Sequence, residues 1–127
     1  MIASEATPWA KTGGLGDVVG ALPRALARLG HSVDVVMPRY RGIDVAMAED
    51  AGVRTIFADN PAYFDREHLY GPPSGDYADN AERFAFLARA GLAWAAGSGA
   101  RHDVLHAHDW QAGLVPVLAG RRMPTVF

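Results

Sequence analysis

KTGGLGD, residues 11–17, lies between a short apolar start and a long amphipathic stretch. Three glycines within four positions allow the backbone to pass close to a ligand with its N–H groups exposed. The helix expected to follow adds partial positive charge at its N-terminus, and Lys11 adds a full charge. The segment therefore predicts an anion-binding loop, with phosphate as the natural guest. The alternative is a glycine-rich turn that only allows close helix packing.

Alternating strand and helix signals run outward from this loop. The first helix is expected to have Asp17 as its N-cap and to stop at Gly30, while Pro23 inside it predicts a kink or a late start. Residues 39–52 are expected to be irregular. The other elements expected are strands at 33–37, 53–58, 103–107 and 124–127, and helices that begin near residues 79 and 110. This alternation predicts an α/β fold with a parallel sheet.

Composition limits the function classes. The 127 residues are 50% apolar and 20% charged, which suits one domain with a core. The net charge of −2 provides no electrostatic surface for nucleic acid or an anionic membrane, and the absence of cysteine excludes thiolate metal sites. No signal peptide or membrane-spanning run is present, so a cytoplasmic protein is expected. Both ends resemble cut strands, which predicts a fragment of a larger protein.

A second motif, HAHDWQ, occupies residues 106–111. It lies where a predicted strand passes into a helix, at the sheet edge where open α/β folds bind ligands. Asp109 is a candidate site residue and a candidate helix N-cap, two roles that can coexist. His106 is more typical of a hydrogen-bonded core histidine, and Trp110 of packing. The run also suggests a metal site, but no further ligand set is present, and no metal is expected.

The segment 60–77 combines aromatic residues with prolines and glycines. Long loops inside compact domains are usually functional or mobile. Aromatic rings beside polar groups, such as that of Tyr70, suit a sugar, which has apolar faces and polar rims. The same rings would also serve simply to cover the sheet edge, and the residues alone leave both interpretations open.

A series of short motifs follows one another along nearly the whole chain. They lie at residues 4–8, 11–18, 20–23, 38–40, 60–61, 63–66, 79–80, 83–84, 106–110 and 113–114. In this order they resemble the N-terminal domain of bacterial glycogen synthases and plant starch synthases. The combination of KTGGLGD with HAHDW is far more specific than a glycine motif alone.

The resemblance implies a Rossmann-like parallel sheet with flanking helices, forming part of the N-terminal domain (residues 1–127) of a two-domain GT-B glycosyltransferase. It implies retaining transfer of glucose from ADP-glucose to an α-1,4-glucan (glycogen) acceptor, without a metal or other cofactor. By resemblance, Lys11, Gly13 and Gly14 contact the phosphates of the nucleotide sugar. Asp109 is implied as the catalytic residue beside the transferred glucose, and Tyr70 as a residue on the acceptor side.

The chain also departs from the family pattern. Its first strand is nearly absent, the segment 42–53 is shorter, and the second domain is missing, so the chain alone is expected to be inactive. Two other functions remain open: a glucan-binding module without catalysis, and a related glycosyltransferase with another nucleotide sugar. A nicotinamide oxidoreductase is disfavoured because Arg39 and Arg41 follow the second strand, where an acidic ribose ligand is expected.

Overall fold

The computed structural model describes residues 1–127, which form the predicted α/β fold. The elements are α1 (Gly14–Arg28), β1 (Val33–Pro38), β2 (Met47–Asp50), β3 (Val53–Ala58), α2 (Pro61–Phe64), α3 (Asn80–Gly97), β4 (Leu105–His106), a 3₁₀ helix (Trp110–Ala112), α4 (Leu114–Ala119) and β5 (Thr125–Val126). None of the helices has the length and apolar character needed to cross a membrane.

The short apolar start forms the centre of the sheet. Ile2 bridges in parallel to Val36 of β1 on one side and to Ala107, directly after β4, on the other. The Ile2 amide donates to the His106 carbonyl at 2.8 Å, and the His108 amide donates to the Ile2 carbonyl at 3.0 Å. β1 also pairs in parallel with β3, and β4 with β5. The first strand of the fold is thus reduced to about one bridging residue, but its position is filled.

One strand lies where irregular structure was expected. β2 pairs antiparallel with β3 through a two-residue turn at Ala51 and Gly52, which have φ values of 50° and 77°. Positive φ at both positions is typical of a tight hairpin turn, which usually contains Asn or Asp before Gly. Because alanine stands at the first position, the sequence contains no recognisable hairpin signal.

The start of α1 differs from its prediction. The helix begins at Gly14 with Gly13 as its N-cap, so Asp17 lies within the first turn and the predicted Asp17 cap is wrong. Pro23 is accommodated inside the helix rather than delaying its start. The predicted stop is confirmed, because Gly30 follows the helix with a φ of 90°.

The second half of the chain also differs in detail. Asp79 holds the N-cap position of α3 but makes no side-chain cap bond. Its carboxylate instead accepts two hydrogen bonds from Arg66, at 2.8 and 2.6 Å, so the helix begins where it was expected but without a side-chain cap. The strand expected at residues 103–107 is shorter, and the helix expected near residue 110 begins as a 3₁₀ turn.

A buried carboxylate joins the elements at the amino edge of the sheet. Asp34 is 8% exposed and accepts two hydrogen bonds of 2.8 Å from Arg54 and one of 2.8 Å from Trp94. His102 Nε2 lies 3.0 Å from the same carboxylate. Burial alone would raise the pKa of Asp34, but these hydrogen bonds outweigh it and hold the pKa below its usual value.

Candidate functional site

The carboxyl ends of the parallel strands carry the polar residues of the site. Ser4 and Glu5 follow the central segment, and Asp109 follows β4. The loop before α3 brings Tyr70 to the same place, since its hydroxyl lies 2.8 Å from Ser4 Oγ. The glycine loop joins the group through Thr12, whose hydroxyl donates to Glu5 at 2.6 Å. Open α/β sheets bind ligands at this edge.

Glu5 is hydrogen-bonded both to the glycine loop and to Tyr70. The motif at residues 4–8, which contains it, gave no sign of that role. Glu5 is only 2% exposed. Oε2 accepts from the amides of Thr12 and Gly13 at 2.6 and 3.3 Å, and Oε1 accepts from the hydroxyls of Thr12 and Tyr70. Burial would raise the pKa of Glu5, but these hydrogen bonds together lower it, and the group is an anion at neutral pH.

This contact refines the predicted anion loop. The amides of Thr12 and Gly13 are already bound to an internal carboxylate. The donors that remain are at the start of α1, where no side chain caps the helix and the first backbone N–H groups have no intrahelical partner. The amides that an anion could bind are therefore those of Gly14 and the two residues after it, which directly follow the amides bound to Glu5.

The four glycines of this region divide into two kinds. A Cβ atom at position 20 would lie 1.9 Å from Thr7 Oγ1, and one at position 16 would lie 3.0 Å from Lys11 Cβ. Positions 13 and 14 have no heavy atom within 4 Å of such a Cβ. Close packing thus explains Gly16 and Gly20, whereas Gly13 and Gly14 border open space.

Lys11 precedes Gly13 by two residues, and its side chain is exposed. Its Nζ binds both carboxylate oxygens of Asp17 at 2.7 Å, and the two side chains are 47% and 59% exposed. An exposed ion pair of this kind contributes about 1 kcal/mol or less. Lys11 can therefore exchange Asp17 for an incoming anion at small cost.

Tyr70 is fixed at both ends. Its hydroxyl bonds to Glu5, and its carbonyl accepts from Asn80 Nδ2 at 2.9 Å. The ring centroid lies 5.9 Å from that of Phe84 and 6.1 Å from that of Trp110. Burial raises the pKa of Tyr70, and the hydrogen bond to Glu5 raises it further, so the phenol remains protonated.

Arg83 binds two carbonyls of the segment 60–77, a role that the sequence did not predict. The residue is fully buried. It donates to the carbonyls of Tyr63 and Leu69 at 2.8 and 2.9 Å and to Asn80 Oδ1 at 2.6 Å. Burial lowers the pKa of Arg83. The signal in the sequence was an arginine beside Phe84 on the apolar side of a predicted helix.

Asp109 combines an exposed carboxylate with an unusual backbone. Its side chain accepts from the Trp110 amide at 2.7 Å, which confirms the predicted N-cap for the 3₁₀ helix. Its φ and ψ are 62° and 175°, a region nearly restricted to glycine, where other residues bear a strain of about 1–3 kcal/mol. Trp110 is 53% exposed and packs edge-to-face on Phe84 at 5.2 Å.

The two histidines stack on each other, with ring centroids 3.9 Å apart. His106 is half-buried and its ring makes no hydrogen bond, so its interpretation as a hydrogen-bonded core histidine is wrong. His108 is 8% exposed, its Nε2 has no partner, and burial lowers its pKa to about 4. No group of three or more His, Asp or Glu side chains is placed to hold a metal ion.

A model of the starch synthase catalytic domain family matches residues 1–127. The chain belongs to this family. Glycogen synthases from Koribacter versatilis and an Anaeromyxobacter species are 46% and 48% identical to it, over alignments that cover 91% and 95% of this chain. The catalytic domain of starch synthase IV from Arabidopsis thaliana, bound to ADP and acarbose, superimposes with a TM-score of 0.78 at 32% identity over 94% of this chain. The predicted fold, a Rossmann-like part of a GT-B glycosyltransferase, is confirmed.

The chain spans only 29% and 30% of the length of these two glycogen synthases and 29% of the starch synthase domain. The alignments extend over 140 and 141 positions although the chain has 127 residues, so these relatives of the family contain residues that this chain lacks. That the difference lies within residues 42–53 stays a prediction. The structure has the tight β2–β3 hairpin there.

Proposed function

We propose that the full-length protein that carries this chain transfers glucose from ADP-glucose to the non-reducing end of an α-1,4-glucan, with retention of configuration. The observation that carries the proposal is the family match over all 127 residues. The structural relative bound to ADP and acarbose supports the choice of substrates. This chain would contribute one wall of the cleft, and no cofactor is proposed.

The donor side of the proposed site consists of Lys11, Gly13 and Gly14. As ADP departs, negative charge develops on its β-phosphate. The uncapped amides at the start of α1 are fixed dipoles that would stabilise this charge. Lys11 would turn from Asp17 to the phosphate, and Gly13 and Gly14 leave room for its approach because neither has a neighbour within 4 Å of a Cβ.

The sugar side consists of Asp109 and Tyr70. The sugar acquires oxocarbenium character as its bond to ADP breaks, and an exposed carboxylate at this edge would offset that positive charge or hold sugar hydroxyls. The ring of Tyr70, beside that of Trp110, offers an apolar surface of the kind that sugars pack against.

Substitution of Lys11 tests the donor site. In the full-length protein, Lys11→Ala is expected to lower kcat/KM for ADP-glucose by an amount equivalent to about 2–4 kcal/mol, because a positioned charge is lost. Lys11→Arg should restore only part of the activity, since a planar fork replaces a point charge. Steady-state kinetics with ADP-glucose and UDP-glucose would measure both the loss and the donor preference.

Arg24→Ala is a matched control. Arg24 lies in α1, the helix that also carries Asp17, and forms an equally short, exposed ion pair, 2.7 Å from Asp50. It is expected to leave kcat/KM unchanged. A change within twofold for Lys11→Ala would contradict the phosphate role, and a stronger preference for UDP-glucose would contradict the proposed donor.

A further inference from the structure

A single carboxylate connects the two sides of the proposed site. One oxygen of Glu5 binds backbone amides of the glycine loop, and the other binds the hydroxyl of Tyr70. None of its hydrogen bonds comes from a lysine or an arginine, so its charge is held by amides and hydroxyls alone. The nucleotide side and the glucan side thus meet at one buried group.

Electrostatics alone would disfavour this arrangement. A negative charge beside a phosphate site repels the ligand, and the repulsion is stronger where water is scarce. What Glu5 provides is geometric. It binds the amides of Thr12 and Gly13, which leaves the next amides, at the start of α1, without a side-chain cap.

Tyr70 is connected to the glycine loop by hydrogen bonds only through Glu5. Its carbonyl is held by Asn80, which in turn accepts from the buried Arg83. The hydroxyl end is held by Glu5 and Ser4. Any displacement of the glycine loop by a bound phosphate therefore acts on the tyrosine through the Glu5 carboxylate.

We propose that Glu5 is a positioning residue that couples the nucleotide side to the glucan side, so that a bound nucleotide changes the affinity for glucan. The proposal rests on the proposed function, because it takes Lys11 and Tyr70 to face the two substrates. Glu5 itself contacts neither of them. Its effect is a coupling free energy between two ligands, which is reciprocal.

Equilibrium binding measures this coupling directly. In the full-length protein, the Kd of maltoheptaose is measured by calorimetry with and without saturating ADP. We expect ADP to change that Kd by about fivefold or more. Glu5→Ala removes both halves of the link, and Tyr70→Phe removes only the hydroxyl half, so either variant should reduce the factor to below about twofold.

Glu5→Gln is the conservative variant. Its carbonyl oxygen can accept from the two amides while its NH₂ group donates to the hydroxyls of Thr12 and Tyr70, because a hydroxyl can also accept. The coupling factor should therefore be retained in this variant. Asp34→Asn is the structural control, since Asp34 is similarly buried at the opposite edge of the sheet. It should lower Tm and leave the coupling factor intact.

The inference would be overturned if ADP left the Kd of maltoheptaose unchanged in the unmodified protein, or if Tyr70→Phe kept the full coupling factor. The proposed function is tested separately, by glucose transfer in the unmodified protein. If ADP changed the Kd of maltoheptaose but no glucose were transferred, only the proposed reaction would be contradicted. If glucose were transferred but ADP left that Kd unchanged, only the role of Glu5 would be contradicted.

Discussion

Asp109 has both a strained backbone conformation and an exposed carboxylate at the edge of the sheet. Its φ of 62° and ψ of 175° fall where only glycine is comfortable. Strain of this kind persists where the surrounding structure imposes it, and it is common at functional sites. The side chain also caps the 3₁₀ helix that follows, so the residue has both a local structural role and a proposed catalytic one.

Two substitutions separate these roles. Asp109→Gly should relieve the strain and raise the free energy of unfolding by about 1 kcal/mol, since glycine also replaces an N-cap at a cost of only a few tenths. Asp109→Asn keeps the cap and the size but removes the charge, so stability should stay unchanged. Both should lower kcat/KM by about 100-fold or more in the full-length protein. Urea denaturation and steady-state kinetics measure the two effects, and an Asn variant with full activity would exclude Asp109 from the reaction.

α1 combines close packing along its side with open space at its uncapped start. Gly20 allows the helix to lie against Thr7, where a Cβ would approach within 1.9 Å. Gly14, at the first helical position, has open space around it. Packing therefore restricts position 20 to glycine, whereas at position 14 the fold itself leaves room for a larger residue.

The glycines of α1 provide an element-scale test. Gly20→Ala should destabilise the fold by about 1–3 kcal/mol, because the methyl group would displace the Thr7 hydroxyl from the Gly16 carbonyl and would still lie 3.1 Å from the Thr7 carbonyl oxygen. Gly14→Ala should cost no stability, since alanine favours the helix, yet it should weaken ADP binding by crowding the uncapped amides. Thermal unfolding and ADP titration distinguish the two. If Gly14→Ala bound ADP normally, the first turn of α1 would not be the anion site.

At the same scale, periodicity and end signals were enough to predict α1, β1, β3 and α3. They were not enough for β2, because an Ala-Gly turn carries no hairpin signal. Burial of a charged side chain is a tertiary property, so Glu5 could not be identified before the loops around it were placed, and for Arg83 the only signal was its position beside Phe84. The structure places Lys11, Gly13, Gly14, Tyr70 and Asp109 at the carboxyl edge, and their roles toward substrates stay predictions.

His108 is expected, because of its burial, to lower the stability of the whole molecule at acidic pH. Its folded-state pKa of about 4 lies below the ordinary value of 6.5, so the unfolded chain binds a proton first as the pH falls. Stability should therefore decrease between about pH 6.5 and 4, by about 2 kcal/mol after allowance for solvent screening. Urea midpoints across this range would measure the decrease, and His108→Gln should flatten the curve. An equally steep curve in that variant would assign the effect to other groups.

In the proposed function, the 127 residues provide one side of a cleft. The chain spans about 30% of the length of its curated relatives, and the proposed reaction needs groups on both sides of the sugar. We expect the isolated chain to show no ADP-glucose-dependent elongation of glycogen, with or without a chelator. Incorporation of labelled glucose would measure this, and any sustained transfer by the chain alone would show that the site is complete without a second domain.

The most direct test is a crystal structure of the full-length protein with ADP. The account predicts the phosphates at the first turn of α1, beside Gly13 and Gly14, with Lys11 turned from Asp17 toward them and Glu5 still bound to Thr12. Phosphates bound elsewhere in the cleft, with the first turn empty and Lys11 still paired to Asp17, would contradict it.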